Sequence, residues 1–259
     1  MIDSHAHLGL CEPPAAELVA NAREAGVTRL LTIGTAEAGN LEAIADAERF
    51  DGVFAAVGRH PNSSEGFDEQ ALATLAEQAA HPLVRAVGET GLDYYRDGAP
   101  RPTQRHAFAA QIELAAECDL PLVIHMRDPA GESEAVDEVF ATLDRFADRD
   151  TRPAAVILHC FSAPARAVDA AERGWYCSFA GNVTYPSAAE LREAAAQVPE
   201  HLLLVETDCP YLSPKPVRGK PNQPANVAMT AALVAEVRGV EPAVLEAQVE
   251  RNAAALFGW

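Results

Sequence analysis

The chain has 259 residues, 49% of them hydrophobic, enough to build a sizeable core without disulfide or metal staples. Its formal net charge of −18 argues against broad electrostatic capture of nucleic acid, because phosphate backbones repel an acidic surface. No apolar run approaches a membrane span, and the opening MIDSHAHLGL lacks the basic start and apolar stretch of a secretory signal.

The five cysteines (Cys11, Cys118, Cys160, Cys177 and Cys209) are scattered and odd in number, which fits reduced thiols and predicts a cytoplasmic protein. Along the chain, short β-branched or apolar runs alternate with longer Ala/Glu/Leu-rich stretches. Strands are predicted over 1–7, 27–34, 53–60, 84–90, 122–126, 155–161, 175–180 and 202–208. Helical stretches between them include 14–25, 68–80, 103–118, 133–147 and 187–197, and two final helices cover 225–238 and 242–256. The first has proline near its start and Gly26 just past its end, the expected asymmetry of helix signals. About eight strand–helix units in this length predict a single TIM-type (β/α)8 barrel over the whole chain, with room for slight distortion. A doubly wound open sheet is the competing arrangement. No linker or shift of composition marks a second domain. The prolines of 210–224 exclude a regular helix there. That loop also holds the only two lysines, Lys215 and Lys220, with Arg218 between them, either a local phosphate-binding spot or a solvated loop.

Imidazoles and carboxylates gather at the predicted strand ends. Strand one ends in Asp3-Ser4-His5-Ala6-His7, where residues two apart share a face. Strand four ends at Glu89, strand five at His125, strand six at His159 and strand eight at Asp208. All fall at the C-terminal strand ends, where barrel enzymes place their sites, and together they form a metal-ligand constellation. Each has a bland alternative alone: a histidine can be a hydrogen-bonded structural residue, and Asp208 a helix cap. Glu206 shares a face with Asp208, and two inward carboxylates need a cation or donors to offset burial. Cys160 and Cys209 alternate to the opposite face and read as buried small hydrophobes. Tyr94 and Tyr95, just after strand four, read as rim packing rather than base-stacking groups.

The segments IDSHAHL, VGRHP, AVGETGLDYYR, LPLVIHMRD, LHCFS, VETDCPYLSP and RGKPNQP occur in that order over nearly the whole chain. Together they resemble the signature of the TatD family of metal-dependent deoxyribonucleases, within the wider amidohydrolase-like barrel superfamily. The resemblance implies two divalent metal ions (zinc, manganese or magnesium): one held by His5, His7, Glu89 and Asp208, the other by Glu89, His125 and His159, with Glu89 bridging. It also implies that His60 faces the substrate. Asn62, Ala163 and Gln223 depart from the pattern, at the substrate rim rather than among the ligands.

On that basis the chain is expected to be a 3′-to-5′ exodeoxyribonuclease acting on single-stranded DNA or 3′ ends. Asp208 would take a proton from a metal-activated water and Glu89 would be catalytic with it. His60 would assist at the phosphate or leaving group; otherwise it is a structural histidine before a turn-setting proline. Arg218, Lys215 and Lys220 would contact substrate phosphates. Glu206 and Asp3 would support the ligands, although an inward Asp3 could equally bond backbone. No obligate protein partner and no membrane association are expected. The competing functions are a binuclear hydrolase of amide, lactone or small phosphoester bonds, and a non-catalytic scaffold. The first often bridges its metals with a modified lysine, and none lies near strand four.

Overall fold

The structure, a computed structural model, describes residues 1–149 and 151–259. Eight strands form one parallel sheet in sequential order: β1 (Ile2–Ala6), β2 (Arg29–Ile33), β3 (Val53–Val57), β4 (Val84–Asp93), β5 (Leu122–Arg127), β6 (Val156–Leu158), β7 (Tyr176–Phe179) and β8 (Leu203–Val205). The helices are α1 (Ala15–Glu24), α2 (Glu37–Arg49), α3 (Glu69–Ala79), α4 (Arg101–Glu117), α5 (Glu134–Asp148), α6 (Ala167–Glu172), α7 (Ala189–Gln197), α8 (Val227–Arg238) and α9 (Pro242–Phe257). This is the alternation and strand order of a (β/α)8 barrel. A doubly wound sheet would reverse its strand order at a switch point, and this order never reverses. No helix of the described residues is long and apolar enough to cross a membrane.

Most strands stop earlier than their apolar runs predict. His7, His159 and Asp208 therefore lie just beyond β1, β6 and β8 rather than on them, while β4 runs on to Asp93. Between 210 and 224 only a 3-10 turn, Lys215–Val217, forms before Pro224 opens another, Pro224–Asn226, as the prolines require.

The chain divides into two compact units. The first comprises Met1–Thr32, Asp46–Phe54 and His159–Trp259. Within it β1 pairs with β2 and β7 with β8, and Ala6 bridges to Cys209. Its core is built on Ile2, Leu31, Phe179, Leu204 and Val249, all buried. Asn252 of α9 donates to the carbonyls of Glu200 and Leu203 (2.7 and 2.8 Å), which ties that helix to the start of β8.

The second unit comprises Ile33–Ala45 and Ala55–Leu158. Here β3, β4, β5 and β6 pair in succession, with Gly91 opposite His125. Helix α5 buries Val136, Val139, Phe140, Leu143 and Phe146, the helical spacing of an apolar stripe. The Asp128 carboxylate accepts the N–H groups of Ala135 and Val136 (2.8 and 3.0 Å) and satisfies the donors at its start. A buried amide pair ties the start of α2 within this unit: Asn40 donates to Gln78 (2.9 Å) and accepts the Gly58 N–H (3.1 Å). Asn40→Ala leaves both partners buried and unsatisfied, so urea denaturation should show a loss of about 1–3 kcal/mol. A change within a few tenths of wild type would mean water replaces the amide at no cost.

Candidate metal centre

In the first unit, β1 delivers His5, and His7 follows one residue after its end, so both imidazoles emerge on one side. Their Nε2 atoms are 3.2 Å apart. Asp208 closes a triangle with them: its Oδ1 lies 3.5 Å from His7 Nε2 and 3.7 Å from His5 Nε2. Asp208 sits in left-handed backbone (φ +55°), a conformation that Asp tolerates better than most residues, and its N–H donates to the His5 carbonyl at 2.9 Å. Donors held roughly 2.0–2.2 Å from a tetrahedral cation are separated by about 3.4 Å, and these three atoms have that spacing.

The His159 ring stacks on His5 at 3.9 Å between centroids and 11° between planes. Its Nδ1 lies 3.3 Å from Glu206 Oε1, an oxygen that also accepts the Cys160 N–H at 2.7 Å. The other oxygen of this fully buried carboxylate, Oε2, has no hydrogen-bond donor among the described residues. His5, His159 and Glu206 offer ligand atoms within 4.8 Å of one another. A buried carboxylate oxygen without a donor, beside two imidazoles, is costly unless a cation joins them, so these residues fit a metal ion.

Asp3 lies beneath this group. Burial pushes its carboxyl up to about 8, against the pull of the Thr207 hydroxyl (2.6 Å) and the backbone N–H groups of Thr207 (2.9 Å) and His5 (3.3 Å). It binds the chain on either side of the ligands, as its backbone-bonding alternative predicts. Cys209 is buried as expected. Cys160 is only half-buried and adopts φ +41°, because its N–H is turned toward Glu206 rather than continuing a strand.

In the second unit, Glu89 and His125 project from the adjacent strands β4 and β5, with His125 Nδ1 2.7 Å from Glu89 Oε1. His60 Nε2 is 3.6 Å from the same oxygen, and its ring meets His125 edge-on at 4.6 Å. His60 Nδ1 accepts the Asn62 N–H (3.0 Å) and so also caps the 3-10 turn Pro61–Ser63. The two readings of His60 are thus compatible. Asn62, one of the departures from the family pattern, donates to Asp93 Oδ2 at 2.8 Å.

Asp93 is the site residue that the strand-end reasoning omits. Its Oδ2 is 3.3 Å from His125 Nε2, and its Oδ1 accepts the N–H groups of Tyr95 and Arg96 (3.0 Å each). Burial alone would raise this carboxyl, but the hydrogen bond and charge of His125, with Asn62 and the Arg96 N–H, hold it well below the usual carboxylate range. It lies four residues past Glu89 on the same strand face, so simple alternation carried beyond residue 90 finds it. His60, Asp93 and His125 also offer ligand atoms within 4.8 Å of one another.

The expected phosphate-binding cations share one surface loop. Lys215, Arg218 and Lys220 are exposed on the 210–224 loop, with the Arg218 guanidinium 4.3 Å over the Tyr185 ring. The loop is fixed where it carries them: the Lys215 N–H donates to Thr184 (2.8 Å) and the Tyr185 hydroxyl to the Ser213 carbonyl (3.0 Å). The exposed Tyr211, three residues after Asp208, approaches His7 edge-on at 6.3 Å.

Residues 2–258 match the family model described as TatD related DNase. The chain belongs to the TatD-related DNase family. Membership makes it a hydrolase of the TatD type. It is 38% identical to the "uncharacterized metal-dependent hydrolase TatD" of Mycobacterium tuberculosis, over 100% of this chain and 98% of that one. It is 37% identical to the "3′-5′ ssDNA/RNA exonuclease TatD" of Cronobacter sakazakii, over 93% of this chain and 90% of that protein. Among solved structures, the TatD homolog YjjV of Escherichia coli K12 superposes with a TM-score of 0.89 at 28% identity, covering 100% of this chain and 98% of that one. The TatD fold thus extends over the chain's whole length.

Proposed function

We propose that this hydrolase removes nucleotides from the 3′ end of single-stranded DNA in the cytoplasm, with two divalent cations held by His5, His7, Glu89, His125, His159 and Asp208. The observation that carries the reading is the buried His5–His7–Asp208 triangle, whose donor atoms, 3.2–3.7 Å apart, have the spacing of ligands around one tetrahedral cation. The Glu206 oxygen without a donor supports it from the other side of His5. So does the exonuclease activity for which the Cronobacter relative is named. Glu89, already beside His125, is proposed to serve both ions. The imidazoles favour zinc or manganese, while the carboxylates also accommodate magnesium.

When bound, such ions lower the pKa of a coordinated water and neutralise charge on a phosphoryl group. The chain's own groups do the rest. Asp208 accepts the proton of the attacking water, and Asp93 and Glu206 keep the His125 and His159 rings oriented. His60 donates a hydrogen bond to the phosphate or leaving oxygen. Lys215, Arg218 and Lys220 attract the strand locally, against the repulsion of an acidic chain.

The test is a 5′-labelled single-stranded oligonucleotide incubated with the purified protein, with and without a chelator, followed by add-back of zinc, manganese or magnesium. A ladder of 3′-shortened products that vanishes on chelation and returns with metal is the expected outcome. Metal-dependent turnover of lactones, amides or phosphomonoesters, with the oligonucleotide intact, would shift the reading to another substrate of the superfamily. No turnover of any of them would make the chain a scaffold.

A further inference from the structure

We propose that Tyr95 and Arg127 form a stacking platform for one unpaired nucleobase of the strand being cleaved. The inference rests on the nuclease reading above.

Two neighbouring tyrosines each carry an arginine on the ring, but in opposite circumstances. Tyr94 is 7% exposed, and its hydroxyl donates to Glu138 at 2.6 Å. Arg101 lies 3.9 Å over that ring and is paired with Glu134 at 2.7 Å, while Arg105 is paired with Glu138. Every charge there has its counter-charge, and burial together with the Glu138 hydrogen bond pushes the phenol up to about 12. It is a closed structural bracket.

Tyr95, by contrast, is 54% exposed, with the Arg127 guanidinium 4.1 Å over its ring. Among the described residues no carboxylate pairs with Arg127. The adjacent Asp128 is committed to the N–H groups at the start of α5. In a chain of net charge −18, an exposed arginine left without an acid, on an aromatic ring whose outer part is open, matches an anion carrying a flat π-face.

The platform is also held at the metal cluster. The Tyr95 N–H is bound by Asp93 Oδ1 at 3.0 Å, and Asp93 Oδ2 lies 3.3 Å from His125 Nε2. Arg127 is two residues after His125 on β5, on the same strand face. One buried carboxylate thus positions both a ring that binds a base and an imidazole that binds a cation. A base stacked on Tyr95 puts its sugar-phosphate beside that imidazole, and Arg127 can grip a phosphate oxygen through its paired N–H groups. Any base has a π-face, so recognition tolerates sequence. A base inside a duplex has both faces covered, so only a single strand or a frayed end can use the platform.

The experiment follows a 2-aminopurine placed near the 3′ end of a single strand whose terminal linkages are phosphorothioates, bound to the metal-loaded protein. Wild type should quench the probe. Tyr95→Ala should lose the quench and bind on the order of 10- to 100-fold more weakly. Tyr95→Trp should restore both, and Tyr95→Leu neither. Replacing the probed nucleotide by an abasic one should erase the difference between wild type and Tyr95→Ala. Equal loss on the abasic strand would make Tyr95 merely structural and overturn the proposal. So would wild-type quenching by Tyr95→Ala, while the nuclease reading would stand provided the unmodified strand is still shortened. A wild-type protein that neither binds nor shortens single strands removes both.

Discussion

Asp208→Asn should abolish hydrolysis while leaving the protein folded. Asparagine has nearly the same shape and is the other common side chain that tolerates left-handed backbone, so φ +55° is no obstacle. The bond from the residue 208 N–H to the His5 carbonyl is made by the backbone and survives. What disappears is the negative charge facing His5 and His7 at 3.7 and 3.5 Å, together with the capacity to accept a proton. Loss of a general base alone costs roughly 10²–10⁴ in rate, and the weakened cation site adds to it, so 3′-end release should fall at least about 10³-fold. The check is a single-turnover assay run beside thermal unfolding and elemental analysis. A folded variant with reduced metal content and no release is the expected result. Turnover within a few-fold of wild type would take Asp208 out of the mechanism.

The same residue shows what could be read from the chain and what could not. The alternation of apolar runs with Ala/Glu/Leu-rich stretches suffices for eight strands, because parallel barrel strands are buried on both faces and flanked by helices, but it leaves their order open between a barrel and a doubly wound sheet. It was less good at ends. Apolar runs continue past the last sheet hydrogen bond, so His159 and Asp208 read as strand residues although they stand in loops. On a strand Asp208 would share the Glu206 face by simple alternation, whereas a left-handed residue re-aims the side chain, and no local pattern announces that. Helix α2 lies outside the named helical stretches: Gly39 and Asn40 interrupt its first turns, and Asn40 is there to bond Gln78 and Gly58 rather than to favour a helix. Helix α6 has six residues, too short for its periodicity to register.

Within the first unit His5, His7, His159, Glu206 and Asp208 come together, and within the second Glu89, His125 and His60 do. Asp93 lies beyond the predicted strand, which ends at Thr90, whereas β4 continues to Asp93. Sequence gives the two tyrosines one role between them, and burial separates them: Tyr94 packs while Tyr95 does not. Exposure is a tertiary property, and adjacent identical residues cannot reveal it.

Gly91→Ala should be the most destabilising single substitution near the site. Gly91 has φ +136°, and a Cβ built there would fall 1.9 Å from the carbonyl oxygen of His125, its register partner on β5. That oxygen belongs to the backbone and cannot swing aside as a flexible side chain would. To admit the methyl group, β4 and β5 must separate at the level where Glu89 and His125 meet at 2.7 Å. Backbone strain and overpacking each cost roughly 1–3 kcal/mol, so the loss in urea denaturation should be about 3 kcal/mol or more. Gly26→Ala separates the two contributions, since Gly26 also has positive φ (+84°) but would place its Cβ with nothing within 4 Å. It should lose only about 1–2 kcal/mol. If both substitutions cost the same, close approach of the strands is not what this glycine provides. If Gly91→Ala costs far more and the surviving folded fraction also binds metal more weakly, the sheet spacing and the Glu89–His125 distance are set by the same missing side chain.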